Sequence, residues 1–285
     1  MTNGSAGNGP LIAIGGAEDK MSQAAVLQRV LSQAPTEAPV VGVITTASNI
    51  PGDVFGGYQE VFERLGASEV LDVRIRERAD ADEDRFVEMI ERCDVVFMSG
   101  GDQMRLTNTL GGCAALQAIR SRRQAGAVIA GTSAGAACMS ATMVYGGHSD
   151  DSLRKGAVRM SAGFGFVDEV IIDTHFLQRG RFSRLMEVGA TNPEYLGIGL
   201  GEDAAVQFHD DGTIRAFGPG HVVIIDSSRI TGSNVYALHE GEPVSVHNVI
   251  MHALVDGYGY SLTDRRVLTP DDLRTKRAEH KIAYN

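Results

Sequence analysis

Residues 127–137 read Ala-Val-Ile-Ala-Gly-Thr-Ser-Ala-Gly-Ala-Ala, an apolar run that passes directly into small residues able to open a helix. In this context Gly-x-Ser-x-Gly is typical of a nucleophile elbow, whose sharp turn lifts the serine Oγ clear of the backbone. The sequence therefore predicts Ser133 as the nucleophile of an α/β hydrolase, with the backbone N–H of Ala134 as one oxyanion donor. Two alternatives stay open: the motif arises by chance in a chain with 34 glycines, or Ser133 only caps the helix.

Short apolar runs alternate with amphipathic segments through the first half of the chain. Such alternation predicts right-handed βαβ units and a mainly parallel, doubly wound sheet with helices on both faces, as in flavodoxin-like and class I glutamine-amidotransferase-like folds. The predicted strands are Leu11–Ile14, Val40–Thr45, Val70–Ile75, Val95–Met98 and Val128–Ala130, and the predicted helices include Ser22–Gln33 and Asp82–Arg92.

The pattern changes after about residue 140. Short strand candidates there predict an antiparallel extension of the same sheet, and a helix is expected near Arg181–Val188. The candidate strands are Val170–Ile172, Ala204–Phe208, Thr213–Phe217 and His221–Ile225. No linker, repeat or low-complexity tract requires a division, so residues 1–285 are expected to form one domain, with residues 1–10 as a flexible N-terminus.

Composition and charge exclude several classes of function. The formal net charge of -10 provides no basic field for nucleic acid or an anionic membrane, and no run approaches a membrane span. The three cysteines, Cys93, Cys113 and Cys138, lack disulfide or zinc-ligand spacing. The expectation is a cytoplasmic enzyme that needs no metal and no organic cofactor.

A second strand runs into glycines at Phe97–Gln103, which reads Phe-Met-Ser-Gly-Gly-Asp-Gln. Consecutive glycines allow the backbone to approach a ligand closely and to point amides at an oxyanion. Gly100 and Gly101 are therefore candidates for the second oxyanion donor, with a simple tight turn as the alternative.

A third segment, Ile171–Leu185, contains the strongest candidate for a general base. His175 follows a predicted strand and lies beside Asp173, and an imidazole can both accept and return a proton near neutral pH. Arginines follow at positions 179, 181 and 184. In a pocket their guanidinium groups would bind carboxylates in bidentate fashion, whereas on a surface they would form a solvated basic face.

Five segments together resemble the cyanophycinases, in the serine peptidase family that also contains peptidase E. The resemblance covers residues 11 to about 210, in matching order, and the combination is far more specific than Gly-x-Ser-x-Gly alone. The segments are Gly15–Lys20, Ser99–Gln103, Gly131–Ala136, Asp173–Phe176 with the arginines after it, and Gly197–Glu202.

The resemblance implies a catalytic triad in the order nucleophile, base and acid. Ser133 would be the nucleophile, His175 the base and Glu202 the carboxylate that orients the imidazole. Asp203 is the rival for the third role, and spacing alone does not separate the two neighbours, although the family match favours Glu202.

The resemblance also implies a substrate, cyanophycin, which is poly-aspartate carrying arginine on each β-carboxyl, and a product, the β-Asp-Arg dipeptide. It implies a homodimer as well.

Two of the candidate substrate-binding residues need comment. Thr174 stands where cyanobacterial members have a glutamine, and Asp173 could orient His175 instead of contacting the substrate. The residues expected to bind substrate are Gln103, Asp173, Thr174, Arg179, Arg181 and Arg184.

Other interpretations stay open at this point. A peptidase E-type aspartyl dipeptidase would use the same triad. An amidotransferase-like or non-catalytic binding protein would keep the same sheet, but amidotransferases of similar architecture carry cysteine at the elbow, and the nearest one here is Cys138, five residues after Ser133. The loop Gly146–Asp151 is a candidate for lining the pocket, but for His148 within it the favoured interpretation is an ordinary solvated loop residue.

Overall fold

A computed structural model describes residues 8–147 and 153–275 of the chain. The predicted flexible N-terminus falls mostly outside these ranges, as do His148 and most of its loop. Among the helices of the described residues are α1 (Ala25–Leu31), α2 (Pro51–Arg64), α3 (Asp84–Glu91), α4 (Gln103–Leu110), α5 (Ala114–Gln124), α6 (Ala134–Ala137) and α7 (Phe182–Thr191).

The strands of the described residues form two larger sheets and two short ribbons. In chain order they are β1 (Leu11–Ile14), β2 (Val40–Ile44), β3 (Glu69–Val73), β4 (Val95–Met98), β5 (Val128–Thr132), β6 (Thr142–Gly146), β7 (Arg159–Ala162), β8 (Val170–Thr174), β9 (Leu196–Leu200), β10 (Ala205–Phe208), β11 (Thr213–Phe217), β12 (Val222–Asp226), β13 (Gly232–Ser233), β14 (Val246–His247), β15 (Ile250–Leu254), β16 (Gly259–Ser261) and β17 (Arg266–Leu268).

The larger sheet has nine strands in the order β17-β16-β11-β10-β1-β5-β4-β2-β3. The five strands from β1 to β3 are parallel, as the apolar runs predict, and β1, β4 and β5 are buried along their whole length. Strands covered by helices on both faces lose the polar alternation of a half-exposed sheet. The predicted parallel α/β half is therefore confirmed.

The antiparallel extension is only partly as predicted. Strand β10 pairs antiparallel with β1, and β11 pairs antiparallel with β10, so both strands extend the larger sheet. The predicted strands at 170–172 and 221–225 instead form a separate four-stranded sheet, β15-β12-β9-β8, in which β8 and β9 are parallel. The error has a physical cause, because an apolar run predicts a buried strand and carries no information about which strand it will pair with.

One continuous core joins the two sheets. Ile129 and Val206 of the larger sheet belong to the same buried cluster as Ile198 and Ile224 of the smaller one. On the opposite face of the larger sheet a second cluster packs α1 and α2 against β1, β2 and β4. The carboxyl ends of β1, β4, β5 and β8 consequently reach one region, where the motifs meet.

Candidate active site

The elbow at Ser133 has the strained backbone that the motif predicts. Ser133 lies between β5 and α6 with φ 52° and ψ -110°, a backbone conformation that residues other than glycine seldom adopt. Its N–H donates to the carbonyl of Ile14, 3.0 Å away. Such strain persists only where the surrounding structure enforces it, and here it projects the hydroxyl beyond the end of the strand.

The two glycines of the motif are required by close backbone contacts. A Cβ on Gly131 would lie 2.4 Å from the Gly135 carbonyl oxygen, and one on Gly135 would lie 2.2 Å from that of Met98. Both distances are impossible for a methyl group, so the Gly-x-Ser-x-Gly pattern reflects packing. The helix that follows, α6, is a single turn of four residues, so its macrodipole stabilises an anion less than that of a longer helix would.

His175 bridges the serine to a carboxylate. Its Nε2 lies 3.1 Å from Ser133 Oγ, and its Nδ1 lies 2.8 Å from Glu202 Oε1. Since an ionised carboxylate only accepts hydrogen bonds, Nδ1 carries the proton and Nε2 presents its lone pair to the hydroxyl. The arrangement can remove the Oγ proton as Ser133 attacks a carbonyl and can stabilise the imidazolium that results.

Glu202, and not Asp203, makes the hydrogen bond to the imidazole. The carboxylate of Asp203 instead accepts the N–H of Asp19 at 3.2 Å, and its own N–H donates to the Gly16 carbonyl. Asp203 has φ 52°, so the chain turns sharply after Glu202 and sends the two side chains in different directions. The spacing of residues in the sequence did not distinguish Glu202 from Asp203, because it does not show where the backbone turns.

The loop after β1 joins the two sheets beneath the imidazole. The Gly15 carbonyl accepts the N–H of His175 at 2.9 Å. A Cβ on Gly16 would lie 2.5 Å from the His175 ring, so only glycine lets the backbone pass so close to it. Gln178, which sequence reasoning missed, accepts the Glu202 N–H through its Oε1 at 3.1 Å and thereby supports the carboxylate-bearing turn.

The predicted oxyanion donors lie around the serine. A Cβ on Gly100 would be 3.2 Å from Ser133 Cβ, so the glycine turn after β4 passes directly beside Ser133. Within residues 8–147 and 153–275 no acceptor takes a hydrogen bond from the N–H of Gly100, Gly101 or Ala134. These amides are available to an oxygen that develops negative charge near Oγ.

A cavity of about 490 Å³ opens over Ser133 and His175. Four of the predicted substrate-binding residues line it: Gln103, Thr174, Arg179 and Arg181. The amide of Gln103 donates to the Val144 carbonyl at 3.0 Å, which leaves its oxygen as the group able to face a ligand. The cavity therefore has a cationic wall formed by two arginines.

Asp173 and Arg184 do not line this cavity, although both are predicted substrate-binding residues. They are buried together: Arg184 Nε lies 3.2 Å from one Asp173 oxygen, and Arg181 Nη1 lies 3.0 Å from the other. Burial raises the pKa of Asp173, and the two guanidiniums oppose that rise. Asp173 therefore orients Arg181 from below, since Arg181 also donates to the Thr174 carbonyl at 2.7 Å.

Another part of the cavity lining contains residues to which sequence reasoning assigned no role. Glu18 is buried, and its carboxylate accepts hydrogen bonds from Thr132 Oγ1 at 2.6 Å and from the hydroxyl of Tyr58. Lys20 Nζ lies 3.5 Å from that carboxylate and 4.6 Å from the centre of the Tyr58 ring. Glu18 and Lys20 belong to the Gly15–Lys20 segment that resembles the family, and this was the sequence signal that could have identified them. The sequence of α2 contained no comparable signal for Tyr58.

Within the described ranges no cluster of histidine, cysteine and carboxylate side chains could hold a metal ion. No helix in the same ranges is long and apolar enough to cross a bilayer.

A serine at a strand-to-helix elbow of an α/β fold, hydrogen-bonded to a histidine that is hydrogen-bonded in turn to a carboxylate, is the arrangement of serine-type hydrolases. The chain belongs to peptidase family S51, whose family model matches residues 11–216. It is therefore a serine-type peptidase.

Several curated relatives carry the name cyanophycinase. The chain is 37% identical over 259 residues to the one from a Nostoc species, covering 90% of this chain and 87% of the relative. It is 38% identical over 261 residues to the one from Trichormus variabilis, with the same coverage of 90% and 87%. To the relative from Synechococcus elongatus it is 35% identical over 260 residues, covering 91% and 81%.

Solved structures share the fold at lower identity. A peptidase from an acI-B1 actinobacterium superposes with a TM-score of 0.65 at 21% identity, covering 89% of this chain and 97% of that one. A protein described as a putative peptidase E from Listeria monocytogenes gives a TM-score of 0.50 at 16% identity, covering 73% and 98%. At these identities the likeness concerns the fold.

Proposed function

We propose that this serine-type peptidase is a cyanophycinase that acts from a chain end of cyanophycin and releases β-Asp-Arg dipeptides. The observation that carries the proposal of hydrolysis is the line from Glu202 through His175 to Ser133, with distances of 2.8 and 3.1 Å. The choice of substrate rests on relatives named cyanophycinase that match about 90% of the chain at 35–38% identity.

The proposed reaction begins with attack by Ser133 on a peptide carbonyl of the aspartate backbone. The Oγ–C bond forms as the hydroxyl proton passes to His175 Nε2, and Glu202 stabilises the imidazolium. When the tetrahedral intermediate collapses, the C–N bond breaks and His175 returns the proton to the leaving amine. Water then attacks the acyl-enzyme with His175 again as base, which releases the carboxylic acid and regenerates the hydroxyl.

The oxyanion of both tetrahedral intermediates would be held by backbone amides. The N–H groups of Ala134 and of the Gly100–Gly101 turn flank Ser133, and no described acceptor competes for them. Donors fixed in position before the reaction cost no reorganisation when charge develops, and this makes them effective in a partly closed cavity.

The cationic wall would bind the carboxylates of the aspartyl unit. Arg179 and Arg181 line the cavity together with Thr174 and Gln103, and a guanidinium pairs with a carboxylate through two parallel hydrogen bonds. Asp173 and Arg184 would act by positioning, since they form the buried ion cluster that holds Arg181.

The test compares two substrates by mass spectrometry of the products. Wild-type protein is expected to release β-Asp-Arg from purified cyanophycin and to leave an α-linked aspartyl dipeptide uncut. Ser133→Ala removes only the Oγ and should abolish release while circular dichroism stays unchanged. Hydrolysis of the α-dipeptide alone would replace the proposal by a peptidase E-type activity, and inactivity on both substrates would favour a non-catalytic binding protein.

Two properties accompany the proposal. A homodimer is expected, and light scattering on the purified protein tests it. A cytoplasmic location is expected because Cys93, Cys113 and Cys138 are all free and buried, as befits a reducing compartment. Fractionation of the native cells would check this location.

A further inference from the structure

One wall of the active-site cavity is formed by a face of helix α2. Asp53, Val54, Gly57 and Tyr58 all line the cavity. The spacing i, i+1, i+4, i+5 places them on one side of the helix over its first two turns. This wall thus presents a carboxylate, a gap without a side chain and a buried aromatic ring to the space above Ser133.

Gly57 has no packing reason to be glycine. A Cβ built on it meets no heavy atom within 4 Å, and it stands in the interior of a 14-residue helix. Glycine weakens a helix interior relative to alanine. Because any side chain at this position would project toward the cavity, the glycine keeps space for something that enters it. Gly56 meets nothing within 4 Å either, but it does not line the cavity.

The electrostatics of this wall favour a cation. The ammonium of Lys20 lies 4.6 Å from the centre of the Tyr58 ring and 3.5 Å from the Glu18 carboxylate. This part of the cavity lining therefore already binds one positively charged group, that of Lys20. That ammonium balances Glu18. Asp53, which is exposed at the first turn of α2, forms no ion pair with any residue in the described part of the chain. This wall therefore contains two carboxylates, those of Glu18 and Asp53, and one cation, the ammonium of Lys20.

We propose that the α2 face, Asp53–Gly57–Tyr58, is the subsite for the guanidinium of the substrate's arginine. This inference rests on the proposed function, because cyanophycin is the substrate that carries a guanidinium on each aspartyl unit. The planar group would occupy the gap above Gly57, pair with the carboxylate of Asp53 and lie near the aromatic ring. Arg179 and Arg181, which line the same cavity, would bind the carboxylates, so the cavity would recognise both charges of one β-Asp-Arg unit.

The experiment uses soluble β-Asp-Arg oligomers and matched oligomers with citrulline in place of arginine. Citrulline keeps the shape of the side chain and lacks its charge. For wild-type protein kcat/KM should be at least about tenfold higher on the arginine oligomer, as expected for one charge-assisted hydrogen bond. Asp53→Asn should remove most of this preference by lowering the arginine value and leaving the citrulline value nearly unchanged.

Two matched controls separate the subsite from general effects. Glu60→Gln removes a negative charge from an exposed position of the same helix and should keep the preference. Gly57→Leu should raise KM for the arginine oligomer at least about tenfold, whereas Gly56→Leu, at the neighbouring unpacked glycine, should not. If Asp53→Asn lowers both substrates equally, or leaves the preference intact, the proposal is overturned.

Failure of the proposed function would look different. If wild-type protein cuts an α-aspartyl dipeptide and neither oligomer, the cyanophycinase assignment fails by itself. The α2 face is then judged on α-Asp-Arg against α-Asp-citrulline with the same variants. A preference for arginine that Asp53→Asn abolishes would retain the subsite, and the absence of any preference would reject it.

Discussion

At the scale of single residues, the site depends on which carboxylate reaches His175. Glu202 lies 2.8 Å from Nδ1, whereas Asp203 accepts an N–H from Asp19. Two adjacent carboxylates thus have different partners: Glu202 is hydrogen-bonded to the imidazole, and Asp203 connects the loop after β1 to the turn after β9.

Glu202→Gln and Asp203→Asn should therefore differ sharply. Glutamine at 202 cannot stabilise the imidazolium and can stabilise the wrong tautomer, so kcat should fall by roughly 10³–10⁴-fold. Asparagine at 203 keeps an oxygen that can accept the Asp19 N–H, and kcat should stay within about threefold of wild type. Steady-state kinetics on both variants checks this, and an equal loss in the two would contradict the role of Glu202.

At the scale of elements, helix α7 anchors Gly147, just after β6, and the segment at residues 153–158. Glu187 is buried on α7, and its two carboxylate oxygens accept the N–H groups of Leu153 and Val158 at 3.2 and 3.1 Å. The same helix carries Arg184, which donates to the Gly147 carbonyl. Gly147 and residues 153–158 are thus held to the helix that also supports the cationic wall.

Glu187→Gln tests this anchor. The amide nitrogen that replaces one oxygen would face an N–H donor, so the free energy of unfolding should fall by about 1–3 kcal/mol. Urea unfolding at neutral pH measures the loss. Glu194→Gln changes an exposed carboxylate just after α7 and should leave the stability nearly unchanged.

The difference in the free energy of unfolding between wild type and Glu187→Gln should depend on pH through the titration of Glu187. Burial raises the pKa of Glu187 above its ordinary value of 4.5, so in the folded state it binds a proton at higher pH than in the unfolded state. Between the raised pKa and 4.5 the wild type therefore gains stability relative to Glu187→Gln as the pH falls. Unfolding curves at several pH values should show a growing difference, and a shrinking one would be evidence against this titration.

At the scale of the whole molecule, the two sheets share a core. Ile198 of the smaller sheet and Ile129 of the larger one are fully buried in one cluster. This supports the expectation that the chain is a single domain, since a core that spans both sheets gives neither sheet an independent interior.

Ile198→Ala should therefore shift the entire thermal transition. Its cavity should cost about 2–5 kcal/mol, and calorimetry should record one lower, still single transition. Met251→Ala, at an exposed position on the edge strand β15, should change the midpoint little. A separate early transition in Ile198→Ala would instead indicate two independently folding units.

The sequence alone determined the parallel half of the fold and the elbow at Ser133. Both are local: apolar runs fully buried between helices lack polar alternation, and Gly-x-Ser-x-Gly encodes a turn whose glycines meet neighbours at short distance. His175 was predicted from its place after a strand and beside Asp173. Glu202 was predicted through the family resemblance, since spacing gave no reason to prefer one carboxylate over its neighbour.

Tertiary structure decided what depends on contacts between distant segments. It placed β8, β9 and β12 in a second sheet, buried Asp173 with Arg184 beneath the cavity and assembled Glu18, Lys20 and Tyr58 into a wall. Such outcomes depend on strand partners and side-chain directions, which arise only when separate parts of the chain pack together. An apolar run or a charged residue looks the same in sequence whichever partner it finally meets.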